Sequence, residues 1–180
     1  MDKAAFESFF DEVVSRPLLG RGFVRCGKSL FAEIHGVQIG WVRGGGRFAS
    51  SGSVAHCVCF RHAFLRDKES RIPVKPPGFP EQYPWVFDLE LLPASTHKDW
   101  RFDAARLMNL PYGQYTFEGL AGATVRDDLN SRLAAFLRYA DWALSLTASD
   151  AVAQLRGFAE DYWIARHWLE DYAGRADTPI

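Results

Sequence analysis

Cysteine is scarce in this sequence, and so is any long apolar run. The three cysteines, Cys26, Cys57 and Cys59, make an odd set at no metal-ligand spacing, which argues against a disulfide framework and a zinc knuckle. Buried free thiols are the ordinary alternative. No stretch reaches the roughly 18–20 apolar residues that a membrane-crossing helix needs, because Arg, Asp or Gly interrupts each candidate. The first residues carry Asp2, Glu7, Asp11 and Glu12 where a secretory signal would have a basic start and an apolar block, so the expected location is the cytoplasm, with no membrane contact. Also missing are a Walker loop, a Gly-x-Ser-x-Gly elbow, a His-Glu-x-x-His pair and a Gly-x-Gly-x-x-Gly turn between strand and helix. The expectation is a chain that is not an enzyme and holds no cofactor and no metal.

What is present is an average globular composition, 48% apolar and 24% charged, in a chain long enough to bury a core and short enough for one domain over 1–180. Charge is unevenly spread. Between Arg16 and Leu65 seven basic residues face the single acid Glu33, a net +6, whereas from Arg126 to Ile180 six basic residues face nine acidic ones, a net −3. A basic strand region and an acidic helical region are therefore expected, each a possible contact surface.

The apolar spacing of Phe6, Phe9, Phe10, Val13 and Val14 predicts a helix from Lys3 to Ser15, ended by Pro17. Alternation then predicts strands over Ser29–His35, Val37–Arg43 and Ser53–Phe64, joined by glycine turns into an antiparallel meander. Both faces of the third strand are largely apolar, as suits a central strand covered on each side. Five prolines between Arg66 and Pro84 forbid helix and central strand there, leaving a long loop that could bind or merely cross the sheet. A strand over Trp85–Leu92 follows, then a poorly patterned region over 93–122 in which Trp100-Arg101-Phe102 could add a short strand. Two helices close the chain, the first with Thr124 as N-cap and the second capped by Ser149 or Asp150 and stopped by Gly174. The expected class is α+β: an antiparallel meander packed with an N-terminal helix and two long C-terminal helices.

The run Pro17-Leu18-Leu19-Gly20-Arg21-Gly22-Phe23-Val24-Arg25, then Lys28-Ser29-Leu30-Phe31, resembles the bacterial domain of unknown function 4304 family, with Gly22, Phe23, Arg25 and Phe31 at matching positions. The resemblance covers about the first third of the chain. It implies a bacterial domain and assigns no catalytic residue; small domains of this kind often stand beside toxins as immunity proteins.

Three local patterns carry candidate sites. On the last helix, Trp163 and Trp168, with Tyr162 and Tyr172, are too many aromatics for one buried stripe of ordinary width, and Glu160, Asp161, Glu170 and Asp171 flank them. Exposed aromatics inside an acidic rim have the composition of a protein-binding hot spot; packing of the same rings inside the domain is the competing account. Arg43-Gly44-Gly45-Gly46-Arg47 could hold an anion between Arg43 and Arg47 around glycine amides, or form a plain hairpin turn. Asp88 and Glu90 share a strand face and could pair as carboxylates or simply meet solvent. His56 and His62, six apart on one strand, lie roughly 20 Å from each other and cannot share a metal. The leading expectation is a protein-binding domain, an immunity-type inhibitor of a toxin. The alternative is nucleic-acid binding, with Arg25, Lys28, Arg43, Arg47 and Arg61 on phosphates and Trp41 stacking on bases.

Overall fold

The structure is a computed structural model that describes residues 1–44, 49–67, 69–72, 82–87, 113–156 and 163–175. Among the described residues six strands form one antiparallel sheet: β1 (Val24–Cys26), β2 (Ser29–Ile34), β3 (Val37–Gly44), β4 (Ser53–His62), β5 (Trp85–Phe87) and β6 (Gly113–Thr116). Their order is β1-β2-β3-β4-β5, and β6 also pairs with β4. Because β3 takes one side of β4 from Ala55 to His62, β5 and β6 share the other side, β5 along Val58–Phe60 and β6 along Ser53–His56. The β2–β3 reversal has only two residues between Ile34 and Val37. Both take positive φ, His35 at 47° and Gly36 at 76°, the twist that lets a two-residue hairpin match right-handed strands.

The N-terminal helix outlasts its expected end. Helix α1 (Lys3–Phe10) is capped by Asp2, whose carboxylate accepts from the Ala5 amide at 2.8 Å. It widens into a π-helical turn over Asp11–Ser15 and continues as α2 (Arg16–Leu19). Pro17 therefore does not terminate it. A proline has no amide to donate and its ring crowds the preceding turn. The widened turn, in which the Arg16 amide reaches back to the Asp11 carbonyl, makes room for that ring.

After β6, α3 (Gly122–Ser145) starts directly behind Ala121, which is extended and offers no side-chain cap. Thr124 thus lies inside the first turn instead of capping it. The second helical stretch is described as α4 (Ala148–Arg156) and α5 (Trp163–Ala173). Its cap is neither Ser149 nor Asp150 but Thr147, whose hydroxyl accepts from the Asp150 amide at 3.1 Å while the Asp150 carboxylate accepts from the Thr147 amide at 3.3 Å. This reciprocal box satisfies two otherwise unpaired donors. Strand β6 was hidden in the poorly patterned region, since four residues are too few for alternation to register. The expected strand from Trp85 is described as far as Phe87; Trp100-Arg101-Phe102 and most of the proline-rich loop lie outside the described residues.

One core lies between the sheet and the helices. Leu30, Ile39, Trp41, Val58 and Phe60 meet Phe6, Phe10 and Val14 from the N-terminal helix, Leu129 and Phe136 from α3, and Ile164, Trp168 and Tyr172 from α5. The opposite face of the sheet is buried too, at Phe31, Cys57, Cys59 and Arg61, as the two-sided apolar pattern of β4 predicts. The cysteines are free thiols, Cys57 and Cys59 buried. On that second face Phe31 lies directly across from Gly40 and fills its side-chain space: a Cβ at Gly40 would stand 2.8 Å from Phe31 Cε1 and 2.9 Å from Cys59 Sγ. Gly40→Ala is therefore expected to destabilise the fold by about 1–3 kcal/mol through overpacking, read as a lower denaturant midpoint at an unchanged slope. An unchanged midpoint would show that the ring moves aside freely.

Candidate functional site

Helix α5 divides its residues sharply. Ile164, Ala165, Trp168 and Tyr172 are buried, whereas Trp163, Arg166, Glu170 and Ala173 are exposed. The exposed four recur at three- and four-residue steps, so they form one stripe along the outer side of the helix. Trp163 is 49% exposed and rests edge-on against His167, ring centroids 5.7 Å apart. At the other end of the stripe a cleft of about 700 Å³ opens between α4 and α5. Ala148, Val152, Ala153 and Leu169 line it, with Arg156 on one wall and Glu170 on the other. One cation and one anion thus line it.

The inner side of α5 is fastened to the chain just past β4. His62 Nδ1 and the Tyr172 hydroxyl are 2.6 Å apart in the core. Trp168 Nε1 donates to the Arg66 carbonyl at 2.8 Å, and the Arg66 side chain reaches Glu170 at 2.6 Å and Asp171 at 3.0 Å. Burial, followed by the nearby Arg175 guanidinium, pulls the His62 pKa down to about 4. Burial also pushes the Tyr172 phenol well up. Both rings are therefore neutral at ordinary pH, which suits a buried hydrogen bond. Hydrogen bonds from His167 and then Arg66 hold the exposed Glu170 carboxyl below its usual range.

The acidic aromatic set expected on this helix is split by the fold. Trp163 and Glu170 lie on the exposed stripe. Trp168 is fully buried and its indole N–H donates internally to the Arg66 carbonyl, so it cannot meet a partner; it belongs to the stripe that packs on the sheet. Asp171 is half-buried against Arg66. Glu160 and Asp161 lie outside the described residues. Sequence reading missed the cleft and the fastening role of Arg66. The cleft needs the angle between α4 and α5, which no local pattern carries, and Arg66 stands in sequence at the start of the proline-rich stretch, where nothing local points to α5.

The basic region is largely occupied by the N-terminal helix. Glu7 and Asp11, one turn apart, bind its cations: Arg43 at 2.7 Å and Lys28 at 2.7 Å on Glu7, Arg25 at 2.5 Å and Arg16 at 3.1 Å on Asp11. Burial tends to raise the Glu7 carboxyl, yet the hydrogen bonds from Arg43 and Lys28 outweigh it and hold the pKa at about 2. The Arg43 guanidinium also lies over the Phe10 ring at 4.5 Å. As an anion clamp Arg43 is thus already engaged; Arg47 lies outside the described residues. Of the groups assigned to nucleic acid, Trp41 and Arg61 are buried. Trp41 stands in the core, so it offers no face to a base, and Arg61 donates to the carbonyls of Gln82 and Leu65.

Among the described residues, groups capable of acid–base or thiol chemistry are dispersed. His56 is buried on the inner face, where burial, then Arg132 and Arg43, lowers its pKa to about 3. Cys57 and Cys59 lie on the other face of the same strand. Burial pushes the Cys59 thiol well up, away from the thiolate form that reacts. Asp88 and Glu90 lie outside the described residues. Among the described residues no three His, Cys, Asp or Glu side chains come together as a metal site, and no helix is long and apolar enough to cross a membrane. Compared with known protein families, curated proteins and solved structures, the chain has no match.

Proposed function

We propose that this chain is a protein-binding domain that grips its partner with the exposed stripe of α5 and the adjoining cleft, as an immunity-type inhibitor does. The observation that carries this reading is the half-exposed Trp163, held on the same helix whose other tryptophan is locked into the core. A large ring left half in solvent at one end of the stripe, with a cleft carrying opposite charges on its walls at the other end, favours association, because a few aromatic anchors supply most of an interface's energy. The resemblance of the first third of the chain to bacterial domains of unknown function, and the company such domains keep, supports a toxin as the partner.

Co-expression with the product of the adjacent gene, followed by purification through one of the two chains, tests this. A stoichiometric complex is expected, and Trp163→Ala should weaken it about thirtyfold, the effect of losing a hot-spot aromatic, with an unchanged melting temperature. Equal capture by wild type and Trp163→Ala, or no complex at all, would remove the reading.

A further inference from the structure

We propose that the cleft between α4 and α5 binds a free aliphatic carboxylate of medium chain length, its chain on the apolar lining and its head group on Arg156. The inference goes beyond the proposed function, since it concerns the cleft alone and stands whether or not a protein takes the exposed stripe. The volume of about 700 Å³ lies within the span usual for small-molecule sites. Ala148, Val152 and Ala153 supply apolar lining from α4, and Leu169 and Ala173 supply it from α5.

The charges on the two walls are not equivalent. Glu170 is already held by Arg66 at 2.6 Å and by His167 at 3.2 Å. The carboxylates next in sequence to the lining are engaged as well: Asp171 holds Arg66 at 3.0 Å, and Asp150 accepts from the Thr147 hydroxyl at 2.6 Å. Arg156, exposed in the last turn of α4, has a guanidinium with no ion pair or hydrogen bond among the described residues. The free charge of the cleft is therefore positive, and its complement is an anion that comes from outside the chain. A planar guanidinium meets a carboxylate through two parallel hydrogen bonds, whereas the amine of a cation or zwitterion finds Glu170 already taken. The middle of the ligand follows from the polar groups on the lining. Of its hydroxyls, that of Tyr172 is bonded to His62 in the core, which leaves Ser149. A peptide would bring several amides to this surface and leave them short of partners, at the usual cost of unpaired polar groups. A plain hydrocarbon chain brings none.

Calorimetric titration of the full chain with octanoate tests this, with octanol and octylammonium as head-group controls. Octanoate should bind with a dissociation constant on the order of 0.1 mM, within the efficiency range of ligands this small. It should also raise the melting temperature, as a ligand selective for the folded chain does. Affinity should rise from hexanoate to octanoate, since each methylene taken fully from water is worth about fourfold. Octanol should bind about tenfold more weakly and octylammonium more weakly still, because neither offers the guanidinium a charged acceptor. Arg156→Gln should weaken octanoate about tenfold, leave octanol unchanged, and melt with the wild type when unliganded. Ala153→Phe, at an exposed lining position, should fill the cleft and weaken all three ligands. No heat and no thermal shift at millimolar octanoate, equal affinity for the three head groups, or full octanoate affinity in either variant would overturn the proposal. Trp163 does not line the cleft, so Trp163→Ala should titrate octanoate as the wild type does, and the failure of either reading leaves the other standing.

Discussion

Replacing Phe136 with alanine should lower stability by about 3–5 kcal/mol, the cost of emptying a large aromatic site in a close-packed core. Phe136 is fully buried on α3 and touches three elements at once. Its ring centroid lies 5.2 Å from Trp41 on β3, 6.3 Å from Phe60 on β4 and 5.7 Å from Phe23 before β1. None of these rings can collapse into the gap without leaving its own neighbours, so the cavity term adds to the lost transfer energy. For a domain of this length about 1 kcal/mol shifts the melting temperature by roughly 2–4 °C, and the expected drop is roughly 6–20 °C. Phe136→Leu, which keeps most of the volume, should lose less than half as much. A loss below about 1 kcal/mol for the alanine variant would mean that α3 does not pack on the sheet as described.

Acid should unfold the protein earlier than its carboxylates would require. His56 and His62 have folded pKa values of about 3 and about 4, against 6.5 in the unfolded chain. A histidine whose pKa is depressed on folding leaves stability intact above the unfolded value, and the loss grows as pH falls toward the folded value, because the unfolded chain then binds the proton more tightly. The window opens at pH 6.5 and closes near 4 for His62 and near 3 for His56. At about 1.4 kcal/mol per pH unit for each ring, the combined loss is on the order of 5–8 kcal/mol, comparable with the whole stability of a typical domain. Glu7 adds its own loss only below 4.5, continuing down to about 2, and so cannot account for a decline that starts at pH 6.5. The expected result is a denaturant midpoint that falls from pH 6.5 downward, with the slope reduced in His62→Gln and His56→Gln. A midpoint flat between pH 6.5 and 4.5 would contradict the burial of both rings.

How far the sequence speaks depends on how local each signal is. The meander was legible because Leu30, Ala32 and Ile34, then Val37, Ile39 and Trp41, alternate with a two-residue turn between them, so pairing partners are close in sequence. The inward strip of α5 was legible in composition but not in direction. Trp163 and Trp168 look alike as residues, and only packing against Arg66 and the sheet sends one inward and leaves the other in solvent. The charge of the strand region misled for a similar reason. Its cations lie within one stretch, while Glu7 and Asp11, which occupy them, sit on the preceding helix and meet them only after the chain has folded back. The extension of the N-terminal helix through Pro17 escaped because a proline is read as a stop, and the π turn that accommodates it has no spacing signature of its own.

Thermal unfolding of Trp163→Ala and Trp168→Ala, each paired with its capture of a co-expressed partner, tests the division of α5 most directly. Trp163→Ala should melt with the wild type and lose the complex. Trp168→Ala should melt roughly 6–20 °C lower, as loss of a buried tryptophan demands, and should keep the complex at temperatures where it remains folded. The reverse outcome, a destabilised Trp163→Ala that still binds, would place the contact surface elsewhere on the molecule.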